Sequence, residues 1–294
     1  MTATLVVVLH DSEQELAALL ESVERHLPTR PPLVVVDSGS SDGGADLAER
    51  HGAHVVRLEA NPGFGAANVA GLAHVRTPVT VLLNPDVELL DDGVTRLAEL
   101  ALTRDALLVP RLLNADGSVQ RSAHPVPGTV AALLPALVHP RLLPRRLRLN
   151  ADPWRAHAPR RVGWAIAAAL AARTELLRRL GPFDRGAFLF FEDMDLCLRA
   201  AAAGVPTELH PRIALRHAGG HSTRPAYDGE PHDLLARRRR DVVGARLGRR
   251  ALLLDDLAQV LTFATRAVAH GGRGREVAQL RAVIRARRSP VTLT

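Results

Sequence analysis

"LVVVDSGSSDG", residues 33–43, decides the fold. An unbroken apolar run ends in Asp37, and a loop of Gly, Ser and Asp follows. Such a run, with no polar alternation, suits a strand buried on both faces. Upstream, "ATLVVVLH" (3–10) reads as a second strand of this kind. Ser12-x-x-Glu15 then has the capping-box pattern and predicts a helix to about His26. Downstream, "AHVVRLE" (53–59), "VTVLLN" (79–84) and "ALLVP" (106–110) read as three more strands. Helical stretches separate them: one to about His51, one that begins in the glycine-rich turn "NPGFGAANVAGLAHV" (61–75), and one over 91–103. This alternation predicts an α/β fold of parallel βαβ units, with helices on both faces of the sheet.

The second half is less regular. "NADGSVQ" (114–120) predicts a hairpin turn, and 124–160 reads as a long Pro-, Arg- and Leu-rich loop with an apolar turn or two around 131–138. Order resumes with "VGWAIAAALAAR" (162–173), a helix at "TELLRRLG" (174–181) and "FDRGAFLFFEDMDLCLRAAAAG" (183–204). From Glu230 the pattern is helical and basic, which sets a boundary near 230.

With 47% hydrophobic residues in 294, burial alone can support a substantial core. The single cysteine, Cys197, excludes an internal disulfide framework and a Cys-based zinc site; in its apolar stretch it reads as a small buried residue. A reducing cytoplasm is the expected compartment. Leu5–Leu9 is too short for a signal peptide, and 162–172 is too short to span a bilayer.

The net charge is +7, and all 38 Lys/Arg positions are arginine. Many crowd the end of the chain, at 237–240, 246, 249, 250 and 273–288. Clustered cations predict an anionic surface such as lipid headgroups. The alternative is pairing with acids such as Asp255 and Asp256. Leu252–Leu254, Leu257, Val260, Leu261 and Phe263 offer an amphipathic face. Only 3% of residues are aromatic and none interleave with the basic tail, so nucleic acid is not an expected partner.

In an open parallel sheet, ligands bind beyond the carboxyl ends of the strands. Those ends carry His10-Asp11, Asp37 to Asp42, Asn61 to Asn68, and Asn84-Pro85-Asp86. Neither G-x-G-x-x-G nor a Walker A sequence is present, so a bound diphosphate would need a cation. Asp86 is the placed ligand, and Mg²⁺ or Mn²⁺ suits one carboxylate completed by phosphate oxygens and water. In "FEDMD" (191–195), three carboxylates within four positions suit either the positive end of a helix or a reactive site.

Seven segments occur in an order that resembles family 2 glycosyltransferases of the GT-A fold, in the rhamnosyltransferase-like branch. They are "VVVLHDS…LLESV", "LVVVDSGSSDG", "NPGFGAANVAG", "LLNPDVEL", "VGWAIAAALAARTELLRRLGPFD", "FLFFEDMDLCLRAAAAG" and "PRIALRHAGGHS". The resemblance spans about residues 3–225. It implies a GT-A domain over 1–229, with a Rossmann-like, mostly parallel sheet, a donor half to about 110 and an acceptor half from about 111, followed by basic helices over 230–294.

The resemblance also implies roles. Asp37 would accept a hydrogen bond from a pyrimidine, with His10 and Asp11 at the nucleotide edge and Asp42 at the following helix start. Asn61, Gly63 and Asn68 would line ribose and diphosphate. Asn84 stands where many relatives carry a first Asp, so Asp86 would be the metal-binding acid, completed by His217. Asp193 would be the general base, with Glu192 and Trp164 on the acceptor side, Asp195 in support and His221 a weaker diphosphate contact. The implied reaction is an inverting transfer from a dTDP- or UDP-sugar, rhamnose first, to a glycan or polyprenyl-linked acceptor in bacterial envelope assembly. It would take place at the inner face of the cell membrane.

The sequence departs from the family in reading Leu9-His10-Asp11 where Thr-Tyr-Asn is usual, and "AIAAAL" after Trp164 where Gly and Ser or Cys are favoured. Two rival readings are a sugar nucleotidyltransferase and a non-catalytic glycosyltransferase-like scaffold. The first would need a glycine-rich basic N-terminal signature, and residues 9–16 carry Asp11, Glu13 and Glu15 instead.

Overall fold

The structure, a computed structural model, describes residues 2–138, 142–181, 183, 189–219, 230–269, 271 and 274–289. The first half follows the predicted alternation. Strands β1 (Ala3–Leu9), β2 (Leu33–Ser38), β3 (His54–Leu58) and β4 (Val79–Leu83) are joined through helices α1 (Glu13–His26), α2 (Gly44–Arg50) and α3 (Phe64–Ala73). Then come β5 (Val87–Leu89), α4 (Gly93–Leu102), β6 (Leu107–Leu113) and β7 (Ala123–His124). The 114–120 turn closes as predicted, with the Asn114 amide donating to Ser118 O and Gly117 to Asn114 O.

Within the stretch read as a loop lie two helices, α5 (Val130–Leu137) and α6 (Arg145–Ala151). Three short strands follow: β8 (Arg160–Val162), β9 (Trp164–Ala165) and β10 (Ala169–Arg173). Next are α7 (Thr174–Leu180), α8 (Glu192–Ala202) and the long β11 (Thr207–His217). The chain ends in α9 (His232–Ala269) and α10 (Arg275–Arg288).

The main sheet runs β3-β2-β1-β4-β10-β6-β11-β5, with β8 on β11. β1, β2, β3 and β4 pair in parallel, as do β6 and β11. β10 enters antiparallel between β4 and β6, and β5 is an antiparallel edge, so the sheet is mixed but mostly parallel, as expected. The Val/Leu runs alternate between two cores. Val6, Val34, Val36 and Leu82 pack with α3 and α8, while Leu5, Val7, Val35 and Val81 pack with α1 and α4. Burial on both faces explains why these strands show no polar alternation.

Two local devices shape the strand ends. The capping box expected at Ser12 does not cap α1: the Ser12 hydroxyl donates to His10 O instead. Asp42 reaches across from the next loop to accept from the Glu13 amide at 2.8 Å and the Gly44 amide at 3.1 Å. One carboxylate thus caps two helix starts and ties the first loop to the second.

Gly163 lets β9 lie against residues 125–126, because a Cβ there would sit 2.1 Å from the Val126 nitrogen. Gly163→Ala should therefore destabilise the fold by about 2–3 kcal/mol, read as a shifted denaturant midpoint at unchanged slope.

The C-terminal helices fold back on the body. α9 breaks at Gly248, with φ 79 and ψ 179. Arg239 forms a bidentate pair with Asp255 at 2.8 and 2.7 Å, and Arg240 pairs with Asp256. In a straight helix, partners 16 residues apart would be about 24 Å apart. α9 is therefore a hairpin turned at Gly248. Arg246 bridges from it to Asp195 at 2.5 Å. Arg239, Arg240 and Arg246 are accordingly engaged inside the protein. No helix among the described residues is long and apolar enough to cross a membrane.

Candidate active site

The residues expected on the donor side meet at the ends of β1, β2 and the start of α3. Asp37 is the penultimate residue of β2, is buried, and accepts from the Ser40 amide at 3.0 Å. His10 Nδ1 lies 3.0 Å from Ser38 O. Asp11 has φ 46, and its Oδ1 accepts from the Ser41 amide and hydroxyl at 2.7 and 3.0 Å. These bonds hold its carboxyl below the usual range. His10 and Asp11 thus hold the 38–41 loop. Asn61 Oδ1 accepts from the Ser38 hydroxyl and the Gly63 amide, and Gly63 precedes α3 with φ 92. Asn68 is buried and donates to Phe64 O at 2.9 Å.

The end of β4 meets the end of β11. Asp86 Oδ1 is 3.3 Å from His217 Nε2, and Asp86 Oδ2 accepts from the Gly219 amide at 2.9 Å. Burial pushes this carboxyl up, but the His217 ring and the Gly219 amide outweigh it, and its pKa lies below the ordinary value. Asn84 Nδ2 lies 3.5 Å from the same His217 nitrogen, and Asn84 Oδ1 is buried with no partner among the described residues. On the far side of the ring, His217 Nδ1 is 2.9 Å from Gln120 Oε1. An amide oxygen only accepts, so Nδ1 carries hydrogen and Nε2 is turned toward Asp86.

This arrangement fits a hard divalent cation. Asp86 and His217 supply two ligands side by side, the unsatisfied Asn84 oxygen a third polar atom, and Gln120 fixes the ring as metal-binding histidines require. Among the described residues no group of three or more His, Cys, Asp or Glu side chains could hold a metal ion, so the remaining ligands would have to come from a diphosphate and water. Gln120 escaped the sequence reading: it sits in a hairpin, 97 residues from its partner, with no local signal of the role.

The second acidic group lies at the start of α8. Asp193 Oδ1 accepts from the Met194 amide at 2.7 Å, and Oδ2 from the Ala167 amide at 3.4 Å. Burial raises the Asp193 carboxyl, only partly opposed by those amides. Glu192 is raised by burial and by the Asp193 charge, and its Oε2 is buried without a partner among the described residues. Asp195 is engaged elsewhere, with Arg199 at 2.7 Å and with Arg246. The turn into α8 is strained, because Phe190 and Phe191 both hold positive φ, at 74 and 62.

Residues 166–168 join the two acidic groups. The Asn84 amide donates to Ala168 O at 2.8 Å, and the neighbouring Ala167 amide reaches Asp193. Trp164, just upstream, is buried and stacks on His124 with centroids 4.2 Å apart; Phe191 meets it edge-on at 6.1 Å. Burial and the Arg239 charge push His124 down to about 3, so this stack is neutral. Cys197 is buried and its thiol pushed up to about 11, as suits a packing residue. His221 lies outside the described residues.

A family model, "Glycosyl transferase family 2", matches residues 4–163, more than half of the chain. A curated relative from Mycobacterium tuberculosis (strain ATCC 25618 / H37Rv), named N-acetylglucosaminyl-diphospho-decaprenol L-rhamnosyltransferase, is 28% identical over 234 residues, covering 72% of this chain and 73% of its own. Among solved structures, GalNAc-T7 with UDP, GalNAc and Mn²⁺ superposes with TM-score 0.60 at 17% identity. That match covers 98% of this chain and 54% of the other, so the chain spans about half of that protein's length. The mannosyltransferase PcManGT of Pyrobaculum calidifontis, with GDP-Man and Mn²⁺, gives 0.59 at 16% identity, covering 97% and 79%. These structural neighbours establish the GT-A fold. By this fold and the family match, the chain belongs to glycosyl transferase family 2, and it is similar in sequence to a mycobacterial rhamnosyltransferase.

Proposed function

We propose that the protein transfers a sugar, rhamnose first, from a pyrimidine nucleoside diphospho-sugar to a lipid-linked acceptor, with inversion at the anomeric carbon. The observation that carries this reading is the link between the two acidic groups: adjacent residues Ala167 and Ala168 bond to Asp193 and Asn84. One end is suited to a metal-bound diphosphate, the other to an acceptor hydroxyl.

In the reaction, Asp193 accepts the proton of the acceptor hydroxyl while that oxygen forms its bond to the anomeric carbon. The bond from that carbon to the diphosphate oxygen breaks, and its electron pair leaves with the nucleoside diphosphate. Burial makes Asp193 a stronger base than an ordinary carboxylate. Its two amide bonds aim the carboxylate, and Trp164 walls the acceptor side. Asp86 and His217 would hold a divalent cation, Mg²⁺ or Mn²⁺, which supplies positive charge against the departing diphosphate. Asp37, at the end of β2, would accept from the base. The 28% identical mycobacterial relative, an N-acetylglucosaminyl-diphospho-decaprenol L-rhamnosyltransferase, supports the lipid-linked acceptor.

The test is release of nucleoside diphosphate from dTDP- and UDP-sugars with and without Mn²⁺, in the presence of a polyprenyl diphospho-sugar acceptor. Metal-dependent release coupled to glycoside formation is the expected result. Synthesis of a nucleotide sugar from a sugar phosphate would overturn it in favour of a nucleotidyltransferase. Absence of both turnover and metal-dependent nucleotide binding would leave a scaffold. Gln120→Ala should weaken Mn²⁺ binding by about 10- to 100-fold, because the His217 ring loses its anchor. Titration of Mn²⁺ against the nucleotide-bound melting temperature measures this.

A further inference from the structure

A cavity of about 1160 Å³ is lined by α5, α6, residues 155–160 and the last turn of α9. Arg121, Arg145, Arg148, Arg155, Arg160 and Arg266 face it, and none of its described lining residues is acidic. Buried Asp152 pairs with Arg155 at 3.1 Å and Arg121 at 3.7 Å, a single carboxylate against two of these cations. Arg160 spends its Nη atoms on Leu149 O and Asn150 Oδ1, while its Nε is buried with no acceptor among the described residues. Burial lowers the Arg266 pKa, and the Arg121 charge adds to this against the opposing charges of Glu276 and Asp152. Arginine forks gathered around one space suit an oligoanion that accepts several hydrogen bonds at once.

The edge of this cavity is apolar. Leu137 and Val138 belong to the lining. On the same helices Leu147, beside Arg148, and Val268, beside Ala269, are exposed, as is Leu142 between α5 and α6. Val268 is 80% exposed and Leu142 78%. Water does not favour such side chains, but hydrocarbon does. One chain segment joins the cavity lining to the candidate active site. Arg121 follows Gln120, the residue bonded to His217, so their Cα atoms are about 3.8 Å apart.

We propose that this cavity receives the diphosphate of a membrane-held polyprenyl diphospho-sugar, with the apolar edge against the lipid. The inference deepens the lipid-linked acceptor reading above and rests on it. Arg145, Arg148 and Arg266 hold the diphosphate, the paired Arg121 and Arg155 add positive charge, and the sugar attached to the diphosphate extends past residues 120–124 toward Asp193.

The test is co-sedimentation of the full chain with phosphatidylcholine vesicles containing a few mole per cent of undecaprenyl diphosphate. Charge-matched phosphatidylglycerol vesicles and free inorganic pyrophosphate serve as controls. We expect at least about tenfold tighter binding to the diphosphate vesicles than to phosphatidylglycerol, with pyrophosphate a weak competitor. Arg145→Gln/Arg148→Gln should abolish that preference; neither residue forms an ion pair among the described residues. Arg266→Gln, on a different helix, should weaken it in the same direction.

Equal binding to both anionic vesicles would overturn the proposal in favour of surface charge alone. Pyrophosphate binding as tight as the lipid's would overturn it in favour of a soluble anion. An unchanged preference in the variants would overturn the site. The nucleoside diphosphate melting shift with Mn²⁺, measured in the same samples, reports on the donor site separately. If wild type lacks that shift, the transferase reading fails whatever the vesicles show; if the shift persists without vesicle preference, only the cavity proposal fails.

Discussion

Asp193→Asn is expected to reduce sugar transfer by about a hundred- to ten-thousandfold, the range typical of losing a positioned general base. Asparagine keeps the shape of the side chain and one oxygen for the Met194 amide, so the turn into α8 should survive. What disappears is the ability to take the acceptor proton. Nucleoside diphosphate binding, measured by melting shift, should be unchanged, because the donor residues belong to other strands. A loss of donor binding alongside activity would mean that Asp193 supports the fold instead of acting as the base.

The same substitution should stabilise the protein near neutral pH. Burial raises the Asp193 carboxyl, so between the ordinary carboxylate value and the raised one the folded state holds a proton that the unfolded chain releases. Stability therefore falls as pH rises through that window. The asparagine has no proton to lose, so its Tm should exceed wild type at neutral pH, and the gap should close in acid. Relief of Glu192, whose carboxyl the Asp193 charge also raises, acts in the same direction. The acid limb of the wild-type rate profile should correspondingly lie above the ordinary carboxylate range. A variant that loses activity and gains stability carries the signature of a group buried for chemistry.

Asp86→Asn is the second large effect. It removes the carboxylate facing His217 and accepting from Gly219, leaving a neutral oxygen that binds a divalent cation poorly. Transfer should fall by about a hundredfold or more, the scale set by losing charge stabilisation at a leaving group. The Mn²⁺-dependent part of the nucleoside diphosphate melting shift should vanish, while any metal-independent part persists. His217→Ala should show the same pattern more weakly. An unchanged metal-dependent shift in Asp86→Asn would put the cation elsewhere.

Much of the first 110 residues was legible because the signals there are local. Runs such as Leu33–Val36 and Val79–Leu83 are apolar throughout, and a strand buried on both faces needs nothing else to declare itself. Asp37 stood out because it directly follows such a run, and Asp86 because it sits in the Asn84-Pro85-Asp86 turn that ends one. The capping of α1 did not follow the same logic. Ser12 had the right spacing, but the cap is Asp42, 29 residues away in sequence from the amide it serves. The strand β10 was equally hidden: its alanine-rich stretch has strong helix propensity, and only antiparallel pairing with β4 and β6 makes it a strand.

The sequence by itself determined the α/β class, the chemistry available at the strand ends, and the ordered segments that mark the family. Periodicity and residue type are carried by a few neighbouring positions, so they can be read without coordinates. The tertiary structure alone decided which groups meet. Gln120 behind His217, Ala167 and Ala168 between Asp193 and Asn84, the α9 hairpin at Gly248 and the arginine cavity all depend on contacts between distant segments. Such contacts form only when burial of the apolar runs draws those segments together, and no local pattern encodes them.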